Sequence, residues 1–217
     1  MDEKVVIFDL DGTLIDTIGD LAAAVERALD AGGFPGHTVE EYRGMVGHGI
    51  RNLVARALPA GVSEETVDST LKVFKEYYTS HIDVYSRPYP GIRELLRFLS
   101  GEGVSLAVAS NKFQEGTETL IRRFFPDIPF KRILGNAPGL PLKPDPEVIF
   151  QVVGPGDRAV RVGDSSSDIK TARNAGIPAI GVSWGFRPRV DLEIADAVAD
   201  DPDSLREIII SYIHDNK

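Results

Sequence analysis

The chain has no cysteine among its 217 residues. That absence excludes disulfides, thiolate metal sites, iron–sulfur clusters and cysteine nucleophiles, and it is typical of a reducing compartment. We therefore expect a cytoplasmic protein. Positive charge is also scarce, since 24 Lys and Arg stand against 33 Asp and Glu and the net charge is −9. This sign argues against binding to the nucleic-acid backbone or to anionic lipid.

Long apolar runs are missing as well. No stretch of the sequence approaches the roughly 18 apolar residues of a membrane-spanning helix, and the first residues lack the apolar segment of a signal peptide. We expect no contact with a membrane. The overall composition, with 42% hydrophobic and 26% charged residues, is that of an ordinary globular protein with a sizeable core.

Short apolar runs recur along the chain and predict strands that are buried on both faces. They occupy residues 5–8, 104–109, 132–134, 159–162 and 179–182, with a weaker run at 197–199. Helical patterns separate most of them. This alternation predicts an α/β fold with a Rossmann-like parallel sheet, in which the strands lie in the order 3-2-1-4-5.

One long segment interrupts the alternation. Residues 16–86 contain several helical patterns and no convincing strand. We expect an inserted α-helical cap domain over 16–86 and an α/β catalytic core built from 1–15 and 87–217. The predicted hinges are residues 15–17 and the proline-containing residues 86–91.

Two carboxylates follow the first predicted strand directly. The segment Asp9–Leu14 reads DLDGTL, and the one-residue spacing of Asp9 and Asp11 sends both side chains the same way if the strand continues. Gly12 allows the tight exit that a close ligand requires. A calcium loop of the EF-hand type is disfavoured because Leu14 occupies the position of its glycine. A metal or proton-transfer site and a solvated acidic turn both remain open here.

Three further polar segments stand near the ends of predicted elements. They are SNK at residues 110–112, KPDP at 143–146 and GDSSSD at 163–168. Singly, the first two are typical of turns, and Asp164 also suits a helix N-cap. In a parallel sheet, however, ligands bind at the carboxyl ends of the strands where the strand order reverses. We therefore expect these segments to meet beside Asp9.

Taken in this order, the four segments resemble the motifs of the haloacid dehalogenase superfamily, and within it the helical-capped phosphatases typified by phosphoglycolate phosphatase. The resemblance covers essentially the whole chain. It implies an enzyme, a phosphoric monoester hydrolase. In that mechanism Asp9 attacks phosphorus to form an aspartyl phosphate, and Asp11 protonates the leaving oxygen and later takes a proton from water.

The resemblance also implies a Mg²⁺ ion. Asp9, Asp164 and the main-chain carbonyl of Asp11 would hold it, and Asp168 would act directly or through water. Carboxylates this close repel each other by several kcal/mol at a moderate effective dielectric, so cations are required before an anionic phosphate arrives.

Other residues of the motifs would hold the transferring phosphoryl group. Lys143 would supply a positive charge, although it could also be an ordinary surface lysine. Lys112 is the alternative source of that charge. Ser110, Asn111 and backbone N–H groups near Gly12 would bind the phosphoryl oxygens.

The predicted cap carries a glycine-rich segment at residues 43–51. Arg43, His48 and Arg51 are candidates for binding a carboxylate or second phosphate of the substrate, although a flexible loop and a solvated helix face explain them equally well. Residues 34–60 contain no lysine, which disfavours phosphonoacetaldehyde hydrolases. Asp11 disfavours haloacid dehalogenases proper, which lack that aspartate.

We expect the partner to be a small anionic phosphorylated metabolite, with 2-phosphoglycolate favoured by the resemblance alone. The alternatives are inorganic pyrophosphate or a sugar phosphate as substrate, a phosphomutase of the β-phosphoglucomutase type, and a non-catalytic binding module. We expect a monomer or a homodimer.

Overall fold

The computed structural model describes residues 3–214. Its strands are β1 (Lys4–Phe8), β2 (Ile15–Asp16), β3 (Arg87–Pro88), β4 (Ser105–Phe113), β5 (Phe130–Asn136), β6 (Arg158–Gly163), β7 (Ala179–Val182) and β8 (Ala197–Ala199). Its α-helices are α1 (Ile18–Ala31), α2 (Val39–Met45), α3 (Ile50–Ala57), α4 (Glu64–Ser80), α5 (Ile92–Gly101), α6 (Gln114–Phe124), α7 (Glu147–Phe150), α8 (Ser166–Ala175) and α9 (Pro202–His214). Within this part of the chain no helix combines the length and apolarity needed to cross a membrane.

Six strands form one parallel sheet in the order β5-β4-β1-β6-β7-β8. Numbered along the chain, these strands lie in the order 3-2-1-4-5-6. The predicted α/β fold and strand order are confirmed, and the weak apolar run at 197–199 supplies the sixth strand at one edge. The order reverses beside β1, so the carboxyl end of β1 is the expected ligand-binding position.

The central strand is buried on both faces, as its continuous apolar sequence predicts. Val6 and Phe8 belong to the larger apolar cluster, whereas Val5 and Ile7 belong to a second cluster. All four side chains are 0% exposed. Because successive side chains of a strand point to opposite faces, this division fixes which face each residue covers. Asp9 therefore directly follows a strand that is packed on both faces.

Helices α1 to α4 lie between β1 and β4 in the sequence, where the helical insertion is predicted. The chain enters and leaves this segment through a small antiparallel ribbon in which Ile15 pairs with Pro88 and Asp16 with Arg87. The larger apolar cluster runs without interruption from the sheet into these helices and includes Leu53 of α3. The exact boundaries of a separate cap domain remain a prediction.

Candidate active site

The chain turns sharply after β1. The Asp9 N–H donates to the Val162 carbonyl at 2.9 Å, which holds Asp9 at the end of the sheet. The turn places Gly12 at φ 79°, in the region that favours glycine. A Cβ atom at Gly12 would lie 2.3 Å from Oδ2 of Asp164, so a larger residue would displace that carboxylate. Gly12 thus allows two motifs to approach closely.

Three carboxylates converge at this end of the sheet. Asp9 follows β1, Asp164 follows β6, and Asp168 lies in the first turn of α8. They are 6%, 3% and 1% exposed, and one oxygen of each lies within 4.8 Å of the others. Ser165 caps α8 in a capping box with Asp168, which fixes the Asp168 carboxylate at the helix start. The predicted meeting of the first and fourth motifs is therefore observed.

Lys143 is the lysine that faces Asp9. Its Nζ lies 2.8 Å from Oδ1 of Asp9 and 2.8 Å from Oδ1 of Asp168, and the residue is 5% exposed. Lys112 lies instead against Asp11, with its Nζ 3.2 Å from Oδ1, and donates to the Tyr78 hydroxyl at 2.6 Å. The geometry therefore favours Lys143 over Lys112 as the cation beside Asp9.

Asp11 is held from two sides. The Thr17 hydroxyl donates to its Oδ1 at 2.7 Å, and Lys112 approaches both carboxylate oxygens. The side chain of Asp11 keeps 13% of its area exposed, slightly more than that of Asp9 at 9%. Thr17 and Lys112 were not assigned these contacts from the sequence. Asp11 is thus oriented without being sealed from solvent.

A third cation, Arg161 of β6, was missed by the sequence reasoning. It is 0% exposed, and its Nη2 lies 2.7 Å from Oδ1 of Asp168 and 2.7 Å from the Ala109 carbonyl. Its Nη1 donates to the Phe8 carbonyl at 3.3 Å. The available signal was an arginine inside an apolar strand buried on both faces, because a buried charge there must be paired.

Burial and charge shift the pKa values of the three carboxylates in different directions. Burial, followed by the repulsion of Asp168, raises the pKa of Asp9. Burial and the charges of Asp168 and Asp9 raise the pKa of Asp164 to about 8. Burial also acts on Asp168, but Lys143 and Arg161 outweigh it and hold the pKa of Asp168 well below its usual range.

This donor set suits a divalent cation. All the donors are oxygens, and oxygen ligands are what Mg²⁺ and Ca²⁺ prefer. Oδ1 of Asp9 is buried and accepts no hydrogen bond of good geometry from the described residues, although Lys143 lies beside it. Burial raises the pKa values of Asp9 and Asp164, and the charges of neighbouring carboxylates raise them further, so a cation placed among these groups would favour their ionised forms. One oxygen of each carboxylate lies close enough to the others for a metal ion, although both oxygens of Asp168 already contact Lys143, Arg161 or Ser165.

The second and third motifs meet through Asn111. Its Oδ1 accepts from the Lys143 N–H at 2.8 Å, and its Nδ2 donates to the Gly47 carbonyl at 2.9 Å. Ser110 is 7% exposed and, with Asp9, Asp11 and Lys143, lines a cavity of about 40 Å³. Asn111 thus ties the Lys143 loop to the helical segment, and its predicted contact with substrate remains a prediction.

The residues of the predicted cap that were candidates for substrate binding lie away from Asp9. Arg51 pairs with Glu64 and Asp68 on the surface. The Arg43 guanidinium lies 5.6 Å from the centre of the Phe186 ring. Among the described residues, the lining of the 40 Å³ cavity includes Gly47 and Gly49 but not Arg43, His48 or Arg51. The structure does not bring these three side chains to Asp9, and their role in substrate binding stays a prediction.

Comparison with known proteins agrees with this geometry. Residues 6–182 match the family described as haloacid dehalogenase-like hydrolase. A phosphoglycolate phosphatase from Mesorhizobium japonicum is 36% identical over 196 residues, which are 87% of this chain and 86% of that protein.

Solved structures show the same likeness. A provisionally assigned phosphoglycolate phosphatase from Lactobacillus delbrueckii subsp. bulgaricus is 35% identical, with a TM-score of 0.88 over 96% of this chain and 99% of that one. A phosphoglycolate phosphatase assigned by prediction in Haemophilus somnus is 27% identical, with a TM-score of 0.86 over 96% and 98% of the two chains. The predicted family and enzyme class, a phosphoric monoester hydrolase, are confirmed. By sequence and by structure, this chain belongs to the haloacid dehalogenase-like hydrolases.

Proposed function

We propose that this enzyme hydrolyses a small phosphate monoester, with Mg²⁺ and through a phosphorylated Asp9. The observation that carries the proposal is the buried Asp9 carboxylate with Nζ of Lys143 at 2.8 Å and Asp11 only two residues away. 2-Phosphoglycolate is the favoured substrate because several relatives carry the name phosphoglycolate phosphatase. We place the reaction in the cytoplasm.

In the first step an Asp9 oxygen forms a bond to phosphorus as the bond to the leaving oxygen breaks. Asp11 gives its proton to that oxygen, and the alcohol departs. In the second step Asp11 takes a proton from water while the water oxygen attacks phosphorus and frees Asp9. Thr17 and Lys112 hold the Asp11 carboxylate in reach of both oxygens. A loose transition state makes alignment and charge, rather than nucleophile strength, the main contributions.

The residues that would hold Mg²⁺ are Asp9, Asp164 and the main-chain carbonyl of Asp11. When bound, the ion neutralises charge on the phosphoryl oxygens. Asp168 has little capacity left for a metal, because its Oδ1 faces Lys143 and Arg161 and its Oδ2 accepts from Ser165. We propose that Asp168 acts mainly by positioning Lys143.

The balance of charge admits a phosphate dianion only when a cation is added. Within the described site, four carboxylates face the three cations Lys112, Lys143 and Arg161. One added divalent ion makes the net charge of these groups slightly positive. With Lys143 as the single protein cation, that net charge would stay negative. Ser110 and backbone N–H groups at the turn would then hold the phosphoryl oxygens.

The test is a release assay with purified protein and a panel of phosphate compounds that includes 2-phosphoglycolate, sugar phosphates and pyrophosphate. We expect inorganic phosphate to appear only with added Mg²⁺ and not with the Asp9→Asn variant. Transfer of labelled phosphate to a second position of the substrate without release would show a phosphomutase instead. If no compound of the panel releases phosphate, the proposal is contradicted.

A further inference from the structure

Lys112 is a buried lysine that lies beside Asp11 rather than beside Asp9. Its side chain is 1% exposed, and its Nζ lies 3.2 Å from Oδ1 and 3.4 Å from Oδ2 of Asp11. Because an unpaired buried charge is costly, the ammonium group needs partners for its N–H groups. Asp11 is one of these partners, and the helical segment between β1 and β4 supplies another.

That other partner is the hydroxyl of Tyr78 in α4, which accepts from Nζ of Lys112 at 2.6 Å. Tyr78 is 0% exposed. Its ring stacks on Phe74 with centroids 5.2 Å apart and packs edge-on against Phe113 with centroids 6.1 Å apart. These packed rings leave the hydroxyl little room to move. Tyr78 therefore fixes the direction in which the Lys112 ammonium group points.

The two carboxylate oxygens of Asp11 have unequal surroundings. Oδ1 accepts from the Thr17 hydroxyl at 2.7 Å and is the nearer of the two oxygens to Lys112. Oδ2 accepts, within residues 3–214, only the longer contact from Lys112 at 3.4 Å. An ammonium group has no lone pair, so a proton on Oδ1 would face a group that cannot accept it. The proton of neutral Asp11 therefore belongs on Oδ2.

We propose that Tyr78 is a positioning residue for the general acid and base: through Lys112 it holds Oδ1 of Asp11, so that Oδ2 carries the transferred proton. In the first step that proton moves from Oδ2 to the leaving oxygen as its bond to phosphorus breaks. In the second step Oδ2 takes a proton from water as the water oxygen bonds to phosphorus. The inference rests on the proposed function and adds to it a residue of the helical segment and the reacting atom of Asp11.

The test uses small phosphate compounds whose leaving groups differ in their need for a proton. Ethyl phosphate and 2-phosphoglycolate would leave as strongly basic alkoxides, whereas acetyl phosphate releases acetate, which departs as an anion. The constant kcat/KM covers the steps up to departure of the leaving group, and kcat also includes the reaction of the phosphoenzyme with water. Poor orientation of Asp11 therefore changes the two constants differently.

The variant is Tyr78→Phe, which removes the hydroxyl and keeps the packed ring, so it should fold. We expect it to lower kcat/KM by about 10-fold for ethyl phosphate and 2-phosphoglycolate. For acetyl phosphate, kcat/KM should change by less than about twofold, while kcat and KM fall together because the second step still needs its base. A general disturbance of the site would not produce this pattern.

Tyr77→Phe is the matched control. It makes the same change at the neighbouring residue of α4, whose ring stacks on His81 with centroids 4.0 Å apart. All constants of Tyr77→Phe should stay near those of the wild type. Losses as large as those of Tyr78→Phe would show that any lost hydroxyl on this helix disturbs the enzyme, and they would overturn the inference.

A double-mutant cycle tests whether Tyr78 acts through Lys112. Lys112→Met should lower kcat/KM for ethyl phosphate and 2-phosphoglycolate. Adding Tyr78→Phe to Lys112→Met should then cost less than about a further twofold, because the ammonium group that Tyr78 holds is gone. If the two losses multiply instead, Tyr78 acts independently of Lys112 and the inference is overturned.

The remaining outcomes separate this inference from the proposed function. Equal losses of kcat/KM for all three compounds in Tyr78→Phe, or no loss for any, would overturn the inference while the wild type still hydrolyses them. The proposed function then stands. If the wild type hydrolyses none of the compounds of the wider panel, the proposed function fails, and the inference fails with it because Asp11 has no leaving oxygen to protonate.

Discussion

Arg161 carries much of the charge balance at the candidate site. It lies at 0% exposure with its Nη2 at 2.7 Å from Asp168, and Asp168 in turn contacts Lys143. Removing one partner of a buried ion pair leaves the other charge without compensation. Arg161 and Lys143 therefore share one oxygen of Asp168, and both cations help to keep that carboxylate charged.

We predict that Arg161→Leu lowers the free energy of unfolding by about 3 to 5 kcal/mol. Urea denaturation followed by circular dichroism measures it. Arg132→Leu is the matched control, since Arg132 is an exposed arginine in β5, and it should change stability by less than about 0.5 kcal/mol. Equal stability of Arg161→Leu and wild type would show that the buried pair contributes nothing.

At the residue scale, the sequence was sufficient to predict that Asp9, Asp11, Asp164 and Asp168 lie together, because acidic residues after buried strands meet at one edge of a parallel sheet. The roles assigned to these residues stay predictions. It was not sufficient for the partners of these residues. The contact of Lys112 with Tyr78 joins residues 34 positions apart, and no local pattern specifies it. Such contacts depend on how α4 packs against the sheet.

One buried carboxylate joins the two chain segments that connect the sheet to the helices α1 to α4. Asp20, in the first turn of α1, accepts from the N–H groups of Tyr85 and Ser86 at 2.9 and 2.8 Å and from the Ser86 hydroxyl at 2.6 Å. Asp20 is 2% exposed. It thus ties the beginning of α1 to the segment that leads into β3.

We predict that Asp20→Ala destabilises the protein by about 2 kcal/mol or more, because it leaves buried donors without a partner. Asp30→Ala, in the last turn of the same helix, is the control, since the Asp30 side chain is exposed and pairs with Arg27 at the surface. Thermal unfolding of both variants is the measurement. A loss no larger for Asp20→Ala than for Asp30→Ala would refute the role of this tie.

At the element scale, helices with a clear apolar period were predictable, and α2 was not. The pattern of Leu21, Val25 and Leu29 predicts α1, and the structure places a helix there. Helix α2 has seven residues and was not predicted, although its capping box of Thr38 and Glu41 was a usable signal. Strand β4 continues beyond its predicted end through the polar residues 110–112, because pairing with β5 extends to Phe113. Local hydrophobicity does not show that extension.

The raised pKa values in the site make the stability of the whole protein depend on pH. The pKa of Asp164 is about 8 in the folded protein against its usual 3.8. Between these values the folded state holds a proton that the unfolded state has lost, so stability falls as pH rises. Asp9 acts in the same direction. Asp168, whose pKa is lowered, acts in the opposite direction: the stability that it contributes is present above its usual pKa and is lost as the pH falls below that value.

We predict that, in chelator, wild type loses stability relative to Asp164→Asn as the pH rises from about 5 to about 8, by at most about 1.4 kcal/mol per pH unit. The difference between the two proteins cancels the opposite effect of His48, whose pKa is lowered. Added Mg²⁺ should stabilise wild type most at the upper end of this range. A pH-independent difference would contradict the raised pKa of Asp164.

At the scale of the molecule, the parallel sheet was predictable because its strands are visible as apolar runs between helical patterns. Right-handed crossovers limit the possible strand orders without selecting one. The packing of helices α1 to α4 against the sheet was not predictable from the sequence. It depends on hydrogen bonds from side chains to backbone carbonyls, such as Asn111 to Gly47 and Arg187 to Gly44 of α2. Neither contact leaves a periodic or compositional trace.

The chemistry assigned to Asp9 is tested most directly by locating the phosphoryl group. Asp11→Asn removes the base for the second step, so an aryl phosphate with a good leaving group should leave phosphoenzyme to accumulate with Mg²⁺. Acid quenching and peptide mass spectrometry should then find one phosphoryl group on Asp9. A phosphoryl group on any other residue, or an unmodified Asp9 peptide during rapid leaving-group release, would contradict the account.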